Sequence, residues 1–239
     1  MHFPHFILQF YIKFEIITIT LILTKIWGAI MPMLKKTSLK AQVYEIIRQK
    51  ILQQEYALGE KINIDTLVEE LNISNSPIRE ALMMLTQDGL IDMIPNNGAK
   101  VISFSEEGFH EIASSLYVVL YGAYDLCIKL DVLDTVVTEM QQYIKQQKYY
   151  HKTGNIPESV KYALLFDKCI VKATKNSYLI SIYERMEDIF YLMALHSHQR
   201  GEDDRKNNIA EHDKILQSIR NRDTAAVHHW LNIHYDKHL

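Results

Sequence analysis

Over residues 39–54 the apolar positions Leu39, Val43, Ile46, Ile47 and Ile51 recur at helical spacing. This predicts an amphipathic helix with one buried face, capped by Ser38. Gly59 ends the pattern. A short helix follows on Leu67, Val68 and Leu71, with Asp65 as its expected cap. Residues 72–76 form a polar turn. Pro77 suits the first turn of the next helix, where its missing N–H does no harm. That helix carries Ile78, Ala81, Leu82 and Leu85 and stops at Gly89. Two apolar runs, residues 90–94 and 99–102, then flank Pro95-Asn96-Asn97-Gly98, a strong hairpin signal. Residues 34–103 therefore read helix, helix, turn, helix, hairpin, which is a winged helix-turn-helix.

Strand signals vanish after Phe104. Ser105 with Glu106 and Glu107 opens a helix that can reach Leu130. Further helices are predicted at about 131–151, 157–175, 178–200, 204–220 and 223–238, with Gly, Pro, Asn and Asp at the breaks. The fold class is mainly α: a winged helix-turn-helix, then an all-helical bundle of about six helices over 104–239. Residues 1–33 do not fit either pattern. Their apolar run from Ile16 is interrupted by Thr and ends at Lys25, short of the ~20 apolar residues a bilayer span needs. They also lack a basic start and a small-residue cleavage site. This segment is read as an upstream start-site extension or a disordered arm.

Composition narrows the class. The 8 Gly and 5 Pro in 239 residues argue against disorder and collagen. Only two cysteines, Cys127 and Cys169, exclude a disulfide framework and fit a reducing cytoplasm. The net charge of −3 argues against non-specific polyanion binding. Residues 34–103 hold eight Lys/Arg against nine Asp/Glu, so a nucleic-acid reading rests on layout and not on bulk charge.

The layout offers a reading face. Ser74, Asn75 and Ser76 stand at the start of the third helix, with Arg79 one turn in. Hydroxyls, an amide and a guanidinium there suit phosphates and base edges in a major groove. Lys35, Lys36 and Lys40 precede the first helix, placed to follow a phosphate backbone. Asn97 and Gly98 at the hairpin tip can enter a minor groove, with Lys100 on a flanking phosphate. Taken singly, Ser74 is also an ordinary cap and Asn97-Gly98 an ordinary turn.

These residues carry a resemblance. The segment 74–82 (Ser-Asn-Ser-Pro-Ile-Arg-Glu-Ala-Leu), then Leu85 with Asp88-Gly89-Leu90, then Asn97-Gly98-Ala99-Lys100-Val101, resembles the GntR family of bacterial transcription regulators. The family usually has Arg at the position of Asn75, so the operator preference implied here differs. The helical part resembles the FCD class of effector domain, through Phe166-Asp167, residues 173–179, Glu211-His212, Asp223 and His234.

The FCD resemblance implies an effector cavity and a divalent metal. His212 and His234 flank the break at 221–223 almost evenly, so a hairpin of the last two helices sets both imidazoles level. The family adds an Asp and a further His, but these positions are Ala163 and Asp167 here. Asp167, His212 and His234 still form a two-His, one-carboxylate set, adequate for one Zn, Ni or Mn ion. The Arg that grips a ligand carboxylate in many such domains falls at Ala113, with Tyr117 where an acid is common. The effector pocket is therefore placed at Ala113, Tyr117, Tyr121 and Asp167, and a neutral or aromatic effector is favoured over an organic acid. His196, His198, His228 and His229 are read as surface groups.

The reading that follows is a cytoplasmic, homodimeric repressor, not an enzyme. It binds duplex operator DNA, responds to a small molecule and has no membrane partner. Two alternatives use the Asp167/His212/His234 region: a metal-dependent enzyme, or a helical module that binds another protein. No Gly-rich phosphate loop follows a strand and no Gly-x-Ser-x-Gly occurs, which disfavours the first.

Overall fold

In a computed structural model that describes residues 38–95, 98–199 and 201–235, Val43, Ile47 and Ile51 form the buried stripe of α1 (Leu39–Leu52). Ile46, expected on the same face, is 39% exposed. Helix α2 (Ile64–Leu71) is capped by Asn63, not Asp65: the Asn63 Oδ1 accepts from the Asp65 and Thr66 amides. Extended backbone at Asn63 leaves buried Ile64 as the first helical residue, which moves the cap two positions upstream. Helix α3 (Asn75–Gln87) has Pro77 in its first turn and buries Ile78, Ala81, Leu82 and Leu85. The expected segment 1–33, Lys36 and Asn97 lie outside the described residues.

The wing has three strands. The predicted hairpin is β2 (Ile91–Ile94) and β3 (Gly98–Val101), antiparallel, pairing Ile91 with Val101 and Ile94 with Gly98. A two-residue strand, β1 (Lys61–Ile62), adds to the other edge of β3, giving the order β1-β3-β2. Period-2 alternation points Ala99 and Val101 into the core and Lys100 to solvent. Gly98 is fixed by its surroundings. Its φ is +83°, and a Cβ there would sit 3.0 Å from the Ile62 carbonyl oxygen of β1.

Six helices follow among the described residues: α4 (Glu106–Lys129), α5 (Leu133–Lys152), α6 (Ile156–Ala173), α7 (Ser177–Gln199), α8 (Glu202–Arg220) and α9 (Thr224–Tyr235). Ser105 caps α4 as expected, its Oγ accepting from the Gly108 amide at 3.0 Å. Helix α6 is the most buried, with Val160, Phe166, Ile170 and Val171 in a core shared with Leu120 and Tyr124 of α4 and Leu231 of α9. Helix α4 is long and apolar enough to cross a bilayer. Its Leu116, Leu120, Ala123, Tyr124 and Cys127 are nevertheless buried in this core. The Cys127 thiol donates to the Ile170 carbonyl at 3.3 Å and the Cys169 thiol to the Phe166 carbonyl at 3.0 Å.

Helix α7 belongs to two cores. Its Tyr183, Phe190 and Leu195 pack in the bundle. Its Leu192 is 1% exposed and lies in the winged-helix core with Ile47, Leu82 and Leu90, where Ile189 also packs. Asp188 beside them accepts two hydrogen bonds from Arg48 of α1, Nε to Oδ2 at 2.5 Å and Nη2 to Oδ1 at 2.6 Å.

A Gly98→Ala variant is expected to lose about 1–3 kcal/mol of stability, since alanine there takes a left-handed backbone and crowds β1. Urea denaturation checks it. A midpoint equal to wild type would show that β1 can move aside.

Candidate functional site

The outer face of α3 is built by the burial of its inner one. With Ile78, Ala81, Leu82 and Leu85 turned inward, Asn75, Ser76, Arg79 and Met83 are exposed. Ser74 is the N-cap residue but its side chain makes no cap hydrogen bond. Ser76 Oγ donates to Glu80 Oε1 at 3.4 Å. Asn75 is tied to its neighbour one turn on: its Oδ1 accepts from Arg79 Nε at 2.7 Å. That bond fixes the plane of the guanidinium and leaves its two terminal nitrogens pointing away from it. Between α3 and the wing runs a groove of about 700 Å³, lined by Arg79, Lys61, Asn63, Met93, Ile94 and Gly98. Lys100 is exposed on β3 opposite Lys61 of β1. Lys61 and Asn63 were not among the expected reading residues. They reach this face through β1, which is too short to leave a periodic signal.

The second site lies in the bundle. A cavity of about 340 Å³ is lined by Ala113 and Phe109 of α4, Met193 and His198 of α7, Glu211 of α8, and His234 and Tyr235 of α9, among others. This is within the ~300–1,000 Å³ range of small-molecule pockets. His198, expected at the surface, is 5% exposed, and its Nδ1 contacts the Ala194 carbonyl at 2.8 Å. Burial holds the His198 pKa below the ordinary histidine value, against the smaller opposite effect of that contact. Ala113 is on the wall, as expected. Tyr117 and Tyr121 are placed elsewhere: they meet edge to face at 5.6 Å, and Tyr121 stacks on His228 at 3.7 Å. His228 is held in turn by Asp125 at 3.2 Å. The tyrosine stripe is packing between α4 and α9.

The hairpin geometry of α8 and α9 does set His212 and His234 level, with ring centroids 4.6 Å apart. Asp167 joins them, its Oδ1 4.0 Å from His212 Nε2. The groups form a directed series. His212 Nδ1 donates to Gln147 Oε1 at 2.8 Å, and Gln147 Nε2 donates to Asn208 Oδ1 at 2.8 Å. Asn208 Nδ2 reaches His234 Nε2 at 3.5 Å, and His234 Nδ1 donates to Glu211 Oε2 at 2.8 Å. Phe166 stacks on His212 at 4.3 Å. Asp167 and Tyr235 face each other in the interior, and the Tyr235 hydroxyl donates toward the Asp167 carboxylate. Burial pushes the Asp167 pKa up to about 6, opposed by the nearby His234.

These residues do not fit the metal centre that the sequence suggested. Both nitrogens of His234 are engaged by Glu211 and Asn208, and Ala163 does not supply the extra ligand that the resemblance implied there. Among the described residues, no three His, Cys, Asp or Glu side chains are disposed to hold a metal ion. Gln147, Asn208 and Glu211 are the members of the cluster that were not among the expected site residues. Gln147 sits on a helix whose other polar residues face solvent, so spacing alone did not mark it.

Comparison with known proteins agrees with the two halves of the fold. The model for bacterial regulatory proteins of the gntR family matches residues 39–101, and the FCD domain model matches residues 130–237. The gluconate operon transcriptional repressor of Bacillus subtilis is 23% identical over 85% of this chain and 84% of its own. The Exu regulon transcriptional regulator of Escherichia coli is 24% identical over 76% of this chain and 75% of its own. Among solved structures, E. coli McbR/YncC shares the fold with a TM-score of 0.64 at 17% identity, over 84% of this chain and 95% of that one. A GntR transcriptional regulator from Rhodococcus gives 0.65 at 16% identity, over the same shares.

Untagged protein dialysed free of loosely bound ions is expected to keep well under one equivalent of Zn, Ni or Mn per chain by elemental analysis. About one equivalent, lost in Asp167→Ala, would show that the cluster rearranges around a metal after all.

Proposed function

We propose, from the premise that this chain belongs to the GntR family of bacterial regulatory proteins and carries an FCD domain, that it is a cytoplasmic homodimeric repressor released from its operator by a small molecule bound in the bundle. The boundaries we assign are 34–103 for DNA binding and 104–239 for effector binding and dimerisation. DNA-binding transcription regulation with a small-molecule effector is the function of the class. Repression is carried over from the name of the gluconate operon repressor.

The observation that carries the DNA reading is the Asn75–Arg79 pair on the exposed start of α3. With α3 in the major groove, Arg79 presents its terminal nitrogens to a guanine edge or a phosphate, and Asn75 orients it. Ser74 and Ser76 contact phosphates near the helix start. Gly98 and Lys100 bring the wing to the adjacent backbone. Lys36 and Asn97 are assigned to the same surface from sequence alone. Two such faces are needed for a near-palindromic operator. The exposed side of α4, with Val118 65% exposed and Gly122 open to solvent, supports a dimer contact there.

Control passes through α7. Met193, Ala194 and His198 wall the cavity, while Asp188, Ile189 and Leu192 on the same helix hold the winged helix. An effector that displaces α7 by even a fraction of a turn changes the seat of α1 and thus the presentation of α3. The ligand acts by preferring one of two arrangements, and its effect is bounded by that preference.

Two measurements test this reading. Arg79→Ala is expected to lower specific duplex affinity by about 1–3 kcal/mol, with the melting temperature unchanged. Wild-type affinity would remove Arg79 from the reading set. The Arg48→Met variant is expected to keep duplex binding while losing most of the ligand-induced change in affinity, read by fluorescence anisotropy with and without effector. An undiminished response would place the coupling elsewhere.

A further inference from the structure

Two side chains on the exposed start of α3 share their polar atoms in a way that fixes what each can offer to a base. Arg79 Nε donates to Asn75 Oδ1 at 2.7 Å. The partners themselves set the direction of that bond. A guanidinium has donors only, so the amide atom that faces it is the oxygen. The amide nitrogen, Nδ2, thus keeps its two N–H donors for a partner outside the chain, and Arg79 keeps its two terminal nitrogens. Both residues are exposed, while Ile78, Ala81 and Leu82 anchor the helix behind them.

The pair also has a definite spacing. Four residues advance ~6 Å along a helix axis, and stacked bases rise ~3.4 Å. Two side chains joined one turn apart therefore address neighbouring base pairs. The major-groove edges differ in what they return. Guanine presents two acceptors, N7 and O6, which suit the terminal nitrogens of Arg79. A single amide donor suits purine N7 or thymine O4, and it meets the N4 amino group of cytosine donor against donor. A free asparagine would instead favour adenine through both amide atoms, but here the oxygen is held by Arg79.

We propose that Asn75 is a specificity-determining residue in its own right. Its Oδ1 positions Arg79 on a guanine, and its Nδ2 reads an acceptor on the adjoining base and rejects cytosine there. The inference rests on α3 being the DNA-reading helix.

The test is selection from a duplex library by the full chain, followed by sequencing. The library is randomised over on the order of 20 base pairs, room for two half-sites one helical turn apart. Wild type is expected to enrich a guanine in each half-site, with cytosine depleted in the adjoining column. Asn75→Asp keeps an acceptor for Arg79 Nε but replaces the outward donor by an acceptor. It is expected to retain the guanine and to enrich cytosine in that same column; low salt offsets the repulsion of the new carboxylate. Asn75→Ala, which adds no charge, is expected to lose the preference in that column and to weaken the guanine. It is also expected to bind the wild-type duplex about tenfold less tightly with an unchanged melting temperature. The proposal is overturned if cytosine is tolerated by wild type, if the column is strictly adenine, or if either variant selects the wild-type column. The two levels stay distinguishable. A guanine-bearing half-site indifferent to residue 75 leaves the regulator standing and removes Asn75 from its readers; a wild-type chain that enriches no duplex ends the regulator reading itself.

Discussion

A helix that is apolar on two faces cannot belong to one core only, and α7 is such a helix. Leu192 is enclosed by the winged helix, while Phe190 and Leu195 are enclosed by the bundle. Full burial of one leucine contributes roughly 1.5–3 kcal/mol. The Arg48–Asp188 fork beside it is about a quarter exposed on each side, and pairs of that kind contribute about 1 kcal/mol or less. The apolar contact therefore carries the attachment, and the bidentate fork sets its angle. Helix α7 thus touches both the bundle cavity and the winged-helix core.

The polar interior of the bundle follows from the same economy of positions. Four helices contribute to it: Gln147 from α5, Asp167 from α6, Asn208, Glu211 and His212 from α8, and His234 from α9. Buried polar groups stay only when their hydrogen bonds are met. Here an amide pair, Gln147 and Asn208, links the two imidazoles. A metal would require His234 to release one of its two partners, Glu211 or Asn208. At one end of the cluster Tyr235 pairs with Asp167 and lines the cavity.

Much of this was legible in the chain. The apolar period located every helix within a few residues, and Asn-Gly between two apolar runs located the hairpin. The level placement of His212 and His234 followed from simple helical rise. What was not legible has physical reasons. Strand β1 has two residues, too few for any period. The tyrosines at 117 and 121 share helical spacing with cavity residues, but spacing does not say which neighbour a face meets; that neighbour is His228. His198 read as a surface group because a lone histidine near a helix end carries no mark of burial. The double role of α7 is invisible for the same reason. A hydrophobic stripe states that a face is covered, not by which module.

The two cysteines show what close packing around α6 entails. Cys127 and Cys169 hand their S–H protons to backbone carbonyls, and burial pushes the Cys127 thiol up to about 11 and the Cys169 thiol higher still. Only the thiolate reacts with alkylating reagents. Neither sulfur can be labelled while the helices stay together, so the rate of labelling in the native protein becomes a clock for transient opening of the bundle. Cys169 lies two residues from Asp167 and three from Phe166, which stacks on His212. A molecule that tightens this region slows that clock without touching either sulfur, and the chain thus carries its own chemical reporter of occupancy.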